Sequence, residues 1–202
     1  VFTADIRSEE GKVACHIASN NYQGGVLAGK YLAGALGDQG EMAIIDHPEV
    51  ASVQERVRGF KDEIKNHPGM KIVDQPSAQG DRDRAMVVMQ NMLLSHPDIK
   101  GVFAVNDNCA LGALAALEGA GRQDIIIVGF DATPEAQQAI KKGGALKADI
   151  MQHPIAIGKT TIETIVQHLN GQKVPLEIPI DTGIVDKESL EKTAGPADVT
   201  GK

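Results

Sequence analysis

The chain has 202 residues, 42% of them hydrophobic, with 27 acidic against 20 basic residues and a formal net charge of -7. That length allows one or two small domains with a real buried core, and the acidic balance argues against a nucleic-acid or anionic-membrane surface. No apolar run approaches the roughly 20 residues of a membrane span, no signal peptide is visible, and the first residue is Val1.

In chain order, apolar β-rich runs alternate with helical patterns. The strand candidates are Val13–Ala18, Met42–Ile45, Met70–Val73, Gly101–Val105, Ile125–Val128 and Leu146–Met151. Several are apolar without alternation, as expected of strands covered on both faces. Between them, four stripes have helical spacing: Ala28, Tyr31, Leu32 and Ala35; Ala85, Val88, Met89, Met92 and Leu93; Ala110, Leu114 and Leu117; and Ile162, Ile165, Val166 and Leu169. Asn66-His67-Pro68-Gly69 and Ser95-His96-Pro97-Asp98 each close a helix before the next strand. Strict alternation of this kind predicts an α/β fold: a three-layer sandwich with a mainly parallel sheet of about six strands, right-handed crossovers and helices on both faces. The small, polar tail Ala194–Lys202 is expected to fray.

Ligands of such folds bind beyond the carboxyl ends of the strands. Those positions carry Ser19-Asn20-Asn21, Asp46-His47-Pro48, Asn106-Asp107-Asn108, Gly129-Phe130-Asp131 and Gln152-His153. Carboxylates accept protons from hydroxyls, Arg donates to their lone pairs, and amides do both, so this set suits a polyhydroxylated ligand. None of these groups need transfer a proton, and binding without reaction is a sufficient account.

Other chemistry finds little support. Ile157-Gly158-Lys159-Thr160 has the ending of a phosphate-binding loop, but the glycine that should open it is His153. No G-x-S-x-G elbow, H-E-x-x-H pair or G-x-G-x-x-G turn is present. The histidines are scattered, and His67, His96 and His153 each precede proline at an element end. Cys15 and Cys109 match no metal or redox spacing and read as small buried hydrophobes. Few aromatics are available to stack nucleic-acid bases. The expectation is no catalytic residue, no metal, no cofactor and no nucleic-acid partner.

Several ordered motifs carry a resemblance. His16-Ile17-Ala18-Ser19-Asn20-Asn21 with Gly24-Gly25 and Ala28-Gly29 resembles the start of the second lobe of ribose-type periplasmic sugar-binding proteins, members of the type I periplasmic binding protein superfamily. Glu55-Arg56-Val57-Arg58-Gly59-Phe60 is similar to their E-R-x-x-G-F helix. Val88–Leu93, Val102–Asp107, Ala110–Leu114 and Val128–Pro134 also match, and the likeness runs from about Thr3 to Val185.

The resemblance implies a solute-binding component of a sugar ABC transporter. Its partners would be a monosaccharide, ribose-like or a hexose, and a transporter permease, and its place the periplasm, or a lipid anchor outside a Gram-positive cell. Carried over by position, it implies ligand contacts at Asp5 on a hinge, Arg56, Asn106, Phe130 beneath the sugar ring, Asp131 and Gln152. Ser19, Asn20 and His47 rank below these, the first two reading as caps or hinge residues. Asp107 reads as the cap of the following helix. The pattern departs in two places. Ile6 follows the hinge Asp where the family has Arg, which comes one step later as Arg7. Ala78-Gln79-Gly80 stands where the ribose proteins have a Phe shortly before the Asp-Arg that matches Asp81-Arg82, so one aromatic wall is missing or polar.

The resemblance also implies an organisation. Residues 19–152 would form the C-terminal sugar-binding lobe, with 181–192 returning to it. Residues 1–18 and 153–180 would be hinge and N-terminal-lobe segments whose partner lobe is missing, and 193–202 a tail. The unpartnered helix Ile155–Asn170 is then expected to drive self-association. Two alternatives stay open: the effector-binding domain of a Lac-repressor-type transcription regulator, which shares the fold, and a small α/β sugar enzyme.

Overall fold

The computed structural model describes residues 1–8 and 10–193; the tail expectation for 194–202 lies outside them. The elements in chain order are β1 (Phe2–Ala4), β2 (Cys15–Ser19), α1 (Asn21–Leu36), β3 (Gly40–Ile45), α2 (Ala51–Ile64), β4 (Met70–Asp74), α3 (Arg82–Ser95), β5 (Ile99–Ala104), α4 (Asp107–Gly119), β6 (Ile126–Asp131), α5 (Pro134–Lys142), β7 (Leu146–Met151), α6 (Pro154–Leu169), β8 (Glu177–Ile180), β9 (Gly183–Asp186) and α7 (Lys187–Thr193).

These build two sheets. One has six strands in the order β4-β3-β5-β6-β7-β9, all parallel except β9, which runs antiparallel to β7. Its core is continuous, from Leu32 and Ala33 on α1 through Ile44, Phe103 and Ile127 in the strands to Met89 and Leu117 on α3 and α4. Gly101 and Phe103 point to the α1–α2 side, where Leu32 covers Gly101 and Phe60 stacks on Phe103 at 4.7 Å. Ala110 of α4 covers Gly129 on the opposite side. The sheet is thus sandwiched between helix layers, which is why its strands are apolar on both faces.

The second sheet has three parallel strands, β1-β2-β8, packed on α6 over a small core of Cys15, Ile17 and Ile157. Of the strand candidate Val13–Ala18, the part from Cys15 onward forms β2 of this small sheet. The sixth strand of the large sheet is β9, whose four residues are too short to give a pattern.

The apolar stripes largely face the core. Ala28 and Leu32, Ala85, Met89 and Met92, and all three positions on α4 are buried, whereas Ala35 is exposed and Ala33 takes its place. On α6 the burial falls on Ile157 and Thr164, and Ile162, Val166 and Leu169 lie exposed.

Candidate functional site

The carboxyl ends of β3, β5, β6 and β7 lie side by side, because those strands are parallel neighbours. Asn106 follows β5, Asp131 ends β6 and Gln152 follows β7, so the topology alone brings three expected site residues to one edge.

Arg56 joins them from α2. Its helix crosses α1 at contact distance: a Cβ on Gly25 would meet the Arg56 carbonyl oxygen, and one on Gly59 the Tyr22 carbonyl oxygen, at about 2 Å. Only glycine at both positions lets the backbones touch, and that sets where Arg56 starts. Its guanidinium then crosses to the sheet edge. Nε donates to Asn21 Oδ1 (2.9 Å), Nη1 donates to the Val105 carbonyl (2.7 Å), and Nη1 lies 3.5 Å from Asp131 Oδ1. The group sits 3.7 Å above the centre of the Phe130 ring, a cation–π contact. Burial lowers the Arg56 pKa; the field of Asp131, then of Asp5, Asp149 and Asp107, opposes that.

Phe130 therefore differs from its expected role. Its ring is fully buried, with Arg56 on one face and its edge against Gly24. It offers no face to a ligand and supports the guanidinium instead. The strand alternation explains this: Gly129 faces α4, so Phe130 faces the α1–α2 layer, where Gly24 and Arg56 cover it.

Asp131 accepts from Gln152 Nε2 at 2.5 Å, and Gln152 Oε1 accepts from the Ser19 hydroxyl at 2.7 Å. Desolvation raises the Asp131 pKa, with Arg56 pulling the other way. The backbone here is unusual: Asp131 has φ 122 and Ala132 φ 56, conformations that cost non-glycine residues about 1–3 kcal/mol each. Four bonds hold the turn. Ala132 N–H donates to Asp149 Oδ1, Thr133 N–H donates to Asp107 Oδ2, Gln137 Nε2 donates to the Ala132 carbonyl, and the Thr133 hydroxyl caps α5 through Ala136 N–H.

Asp107 and Asp149 are both buried. Their remaining oxygens, Asp107 Oδ1 and Asp149 Oδ2, have no other partner, and burial followed by the interaction with Asp107 pushes the Asp149 pKa well up. A proton carried by Asp149 completes both groups, since a protonated carboxyl donates where a carboxylate cannot. Gly129 makes room for it; a Cβ there would lie 2.4 Å from Asp149 Oδ2.

The capping expectation also shifts by one residue. Asn106, not Asp107, caps α4, its Oδ1 accepting from Cys109 N–H at 2.9 Å. The Asn106 amide nitrogen reaches the Gly80 carbonyl at 3.3 Å. Arg56 Nη2 and the spare amide protons of Asn106 and Gln152 take no further hydrogen bond among the described residues, and the Asp131 carboxylate, which also interacts with the Asp107 N–H, stands beside them. Asp5, at φ 66, lines a crevice with Arg7, His16, Ser19, Asn21 and Glu55. Ser19 connects that crevice to Gln152.

Sequence reasoning missed Asp149 altogether, and it named Asn21, Ser19 and Asp107 without the parts they play: Asn21 orients Arg56, Ser19 orients Gln152, and Asp107 faces the turn after β6. An acidic residue in the middle of a buried strand was the available signal for Asp149. Both cysteines are buried, and burial pushes the Cys109 thiol up to about 12, leaving no thiolate at neutral pH. Among the described residues no group of three or more His, Cys, Asp or Glu could hold a metal ion, and no helix is long and apolar enough to cross a membrane.

The sequence and the fold match known proteins. Residues 1–173 match the family model described as "Periplasmic binding protein domain". The chain is 40% identical over 191 residues to the ribose import binding protein of Escherichia coli (strain K12), covering 93% of this chain and 63% of that protein. It is 39% identical over 151 residues to the D-apiose import binding protein of Paraburkholderia graminis, covering 74% of this chain and 48% of that one. An ABC transporter periplasmic solute binding protein of Actinobacillus succinogenes 130z, solved with bound D-allose, superposes with a TM-score of 0.87 at 32% identity, over 95% of this chain and 70% of that one. The chain therefore spans less than two thirds of the ribose protein's length. With the fold and a family match over most of its length in agreement, this chain belongs to the periplasmic binding protein domain family.

Proposed function

We propose that the chain is the sugar-gripping part of a solute-binding protein that serves a sugar ABC transporter, and that it binds a neutral monosaccharide without catalysis. The observation that carries this reading is the ring of uncommitted donors and acceptors on Arg56, Asn106, Asp131 and Gln152, each already held by a second bond to the protein. A sugar hydroxyl both donates and accepts, and such a set satisfies it without reorganising. The transcription-regulator and enzyme readings have no comparable support: the similar proteins are import binding proteins, and the site's groups are fixed for recognition.

In this reading residues 19–152 with 181–192 form the binding lobe, and residues 1–18 and 153–180 belong with a second lobe that closes over the ligand from the Asp5 side. The exposed face of α6 packs on that lobe, and in its absence on another copy. The permease partner and a location in the periplasm, or on a lipid anchor outside a Gram-positive cell, follow from the same reading.

Calorimetry on the full-length protein with neutral pentoses and hexoses tests it. Tight binding of one sugar, recovered unchanged, is expected. Asn106→Ala and Asp131→Ala should each cost about 1–3 kcal/mol, because a buried hydroxyl loses its partner. Unchanged affinity in both variants would refute the site.

A further inference from the structure

The binding edge has one wall that the family resemblance leaves unexplained. Where ribose proteins carry a Phe, this chain has Ala78-Gln79-Gly80, and the space is filled from a different strand. Gly80 stands at φ 68 with no side chain. A Cβ built there would lie 2.9 Å from His47 Nδ1 and 3.1 Å from Asn106 Nδ2. The imidazole and the amide thus converge on one point, from the ends of the adjacent strands β3 and β5.

The backbone beneath His47 is fixed. Asp46 N–H donates to the Pro76 carbonyl and Ala78 N–H to the Asp46 carbonyl. Asp46 is buried; its Oδ1 accepts from His47 N–H at 2.7 Å and its Oδ2 from Gln75 Nε2 at 2.6 Å. These bonds pin His47 to the turn that carries Gly80. The ring itself is 27% exposed, yet among the described residues neither ring nitrogen has a hydrogen bond; its nearest charged partner, Glu49, is 3.7 Å from Nε2. A surface histidine serving only as an ion-pair partner for Glu49 would not need a side-chain-free residue behind it. A mostly covered imidazole with spare hydrogen-bonding capacity beside Asn106 fits a recognition role.

Resting on the sugar-binding reading above, we infer that His47 is a specificity-determining residue, supplying a hydrogen-bonding wall that takes a ligand hydroxyl. The chemistry of the two walls differs. A phenyl face covers the C–H side of a sugar and is indifferent to which hydroxyl lies near it. An imidazole presents one donor and one acceptor when neutral, so the ligand must place a hydroxyl there. A site built to bond a hydroxyl rejects the analogue lacking it far more strongly than an apolar wall can. The favoured ligand is therefore a monosaccharide that turns a hydroxyl edge, rather than its C–H face, toward the β3 end.

Calorimetry on the full-length protein decides this, using a panel of neutral pentoses and hexoses that includes D-ribose, D-apiose and D-allose, then the monodeoxy derivatives of the tightest binder. His47→Ala should weaken that sugar at least tenfold, while His47→Gln, which keeps a donor and an acceptor, should stay within about threefold of wild type. One monodeoxy sugar should bind at least tenfold more weakly than its parent to wild type, yet equally to wild type and His47→Ala. Wild-type binding with His47→Ala within twofold of it for every sugar would overturn the role of His47 and leave the sugar reading intact. Tighter binding by His47→Phe than by wild type would also overturn it, since the wall would then be apolar in function. A wild type that binds no sugar of the panel would overturn both.

Discussion

The two sheets of this chain have the same strand type and very different support. The six-stranded sheet is covered on both faces, and buried side chains run without a break from α1 to α4. The three-stranded sheet buries only Cys15, Ile17 and Ile157, with Phe2, Val174, Ile178 and Ile180 partly covered. The site residues divide accordingly. Asn106, Asp131 and Gln152 stand at the strand ends of the well-packed sheet and Arg56 reaches them from α2, whereas Asp5, on the small sheet's side, is exposed. Precise positioning needs rotamers locked by packing, and the first region supplies that packing while the second has little of it.

The largest expected effect breaks the first region. Phe103 is fully buried and stacked on Phe60, so Phe103→Ala should cost about 3–5 kcal/mol through lost contact and a residual cavity. Urea unfolding measures it. Hydrogen exchange sharpens the contrast: amides of β5 and β6 should exchange only with global unfolding, and those of β1 and β8 much sooner. Equal protection in both sheets would remove the distinction.

Arg56→Ala comes next. It uncovers the Phe130 face and leaves Asp131 without its counter-charge. Breaking a buried pair costs about 3–5 kcal/mol, but Asp131 is 30% exposed, and solvent screening brings the expectation down to about 2 kcal/mol. The same variant should abolish sugar binding. A protein of wild-type stability that still binds would show that the guanidinium is neither support nor contact.

How far these features were legible in the sequence follows from what determines them. The parallel sheet could be read because strands buried on both faces are apolar along their whole length, and the clustering of the strand-end residues at one edge because parallel neighbours end side by side. Phe130 was misread since its pattern position names the strand end but not the side of the sheet. Only the observed alternation, with Gly129 against α4, sends the ring to the α1–α2 side. β9 escaped because four residues give no period. The Asp107–Asp149 pair escaped because its partners lie 42 positions apart in sequence, and only the register of β6 against β7 brings Asp149 to the turn that Asp107 supports.

That pair makes a pH-dependent prediction of intermediate size. The folded-state pKa of Asp149 is raised well above the ordinary 3.8, so between 3.8 and that raised value the folded protein keeps a proton that the unfolded chain releases. This contribution is fully present below 3.8 and is lost as pH rises through the folded value. Asp131, also raised, acts in the same direction. An asparagine at 149 keeps an acceptor for Ala132 N–H and always donates toward Asp107, mimicking the protonated carboxyl. Asp149→Asn should therefore match or exceed wild-type stability at pH 8 and flatten the decline with pH, while Asp149→Ala should destabilise at every pH. Denaturant melts from pH 4 to 8 check this. Equal losses in both variants, with the pH slope unchanged, would mean that no proton is shared there.

The smallest expected change in stability is on the second region, and its consequence for association is large. Ile155, Ile162, Val166 and Leu169 fall on one stripe of α6 and are 51% to 87% exposed. An apolar stripe usually faces a core, but here the helix turns Ile157 and Thr164 to the small sheet instead. Because Ile162 and Val166 are already in water, replacing them with serine removes little buried area, and each change should stay within about 0.5 kcal/mol of wild-type stability. If the stripe is an interface, however, the 202-residue chain should self-associate as concentration rises, and Ile162→Ser with Val166→Ser should abolish that association. Sedimentation and denaturant melts on the same samples separate the two readouts. A wild-type chain that stays monomeric at all concentrations would mean the face needs no cover. A large stability loss in the double variant would mean that it already packs within the fold.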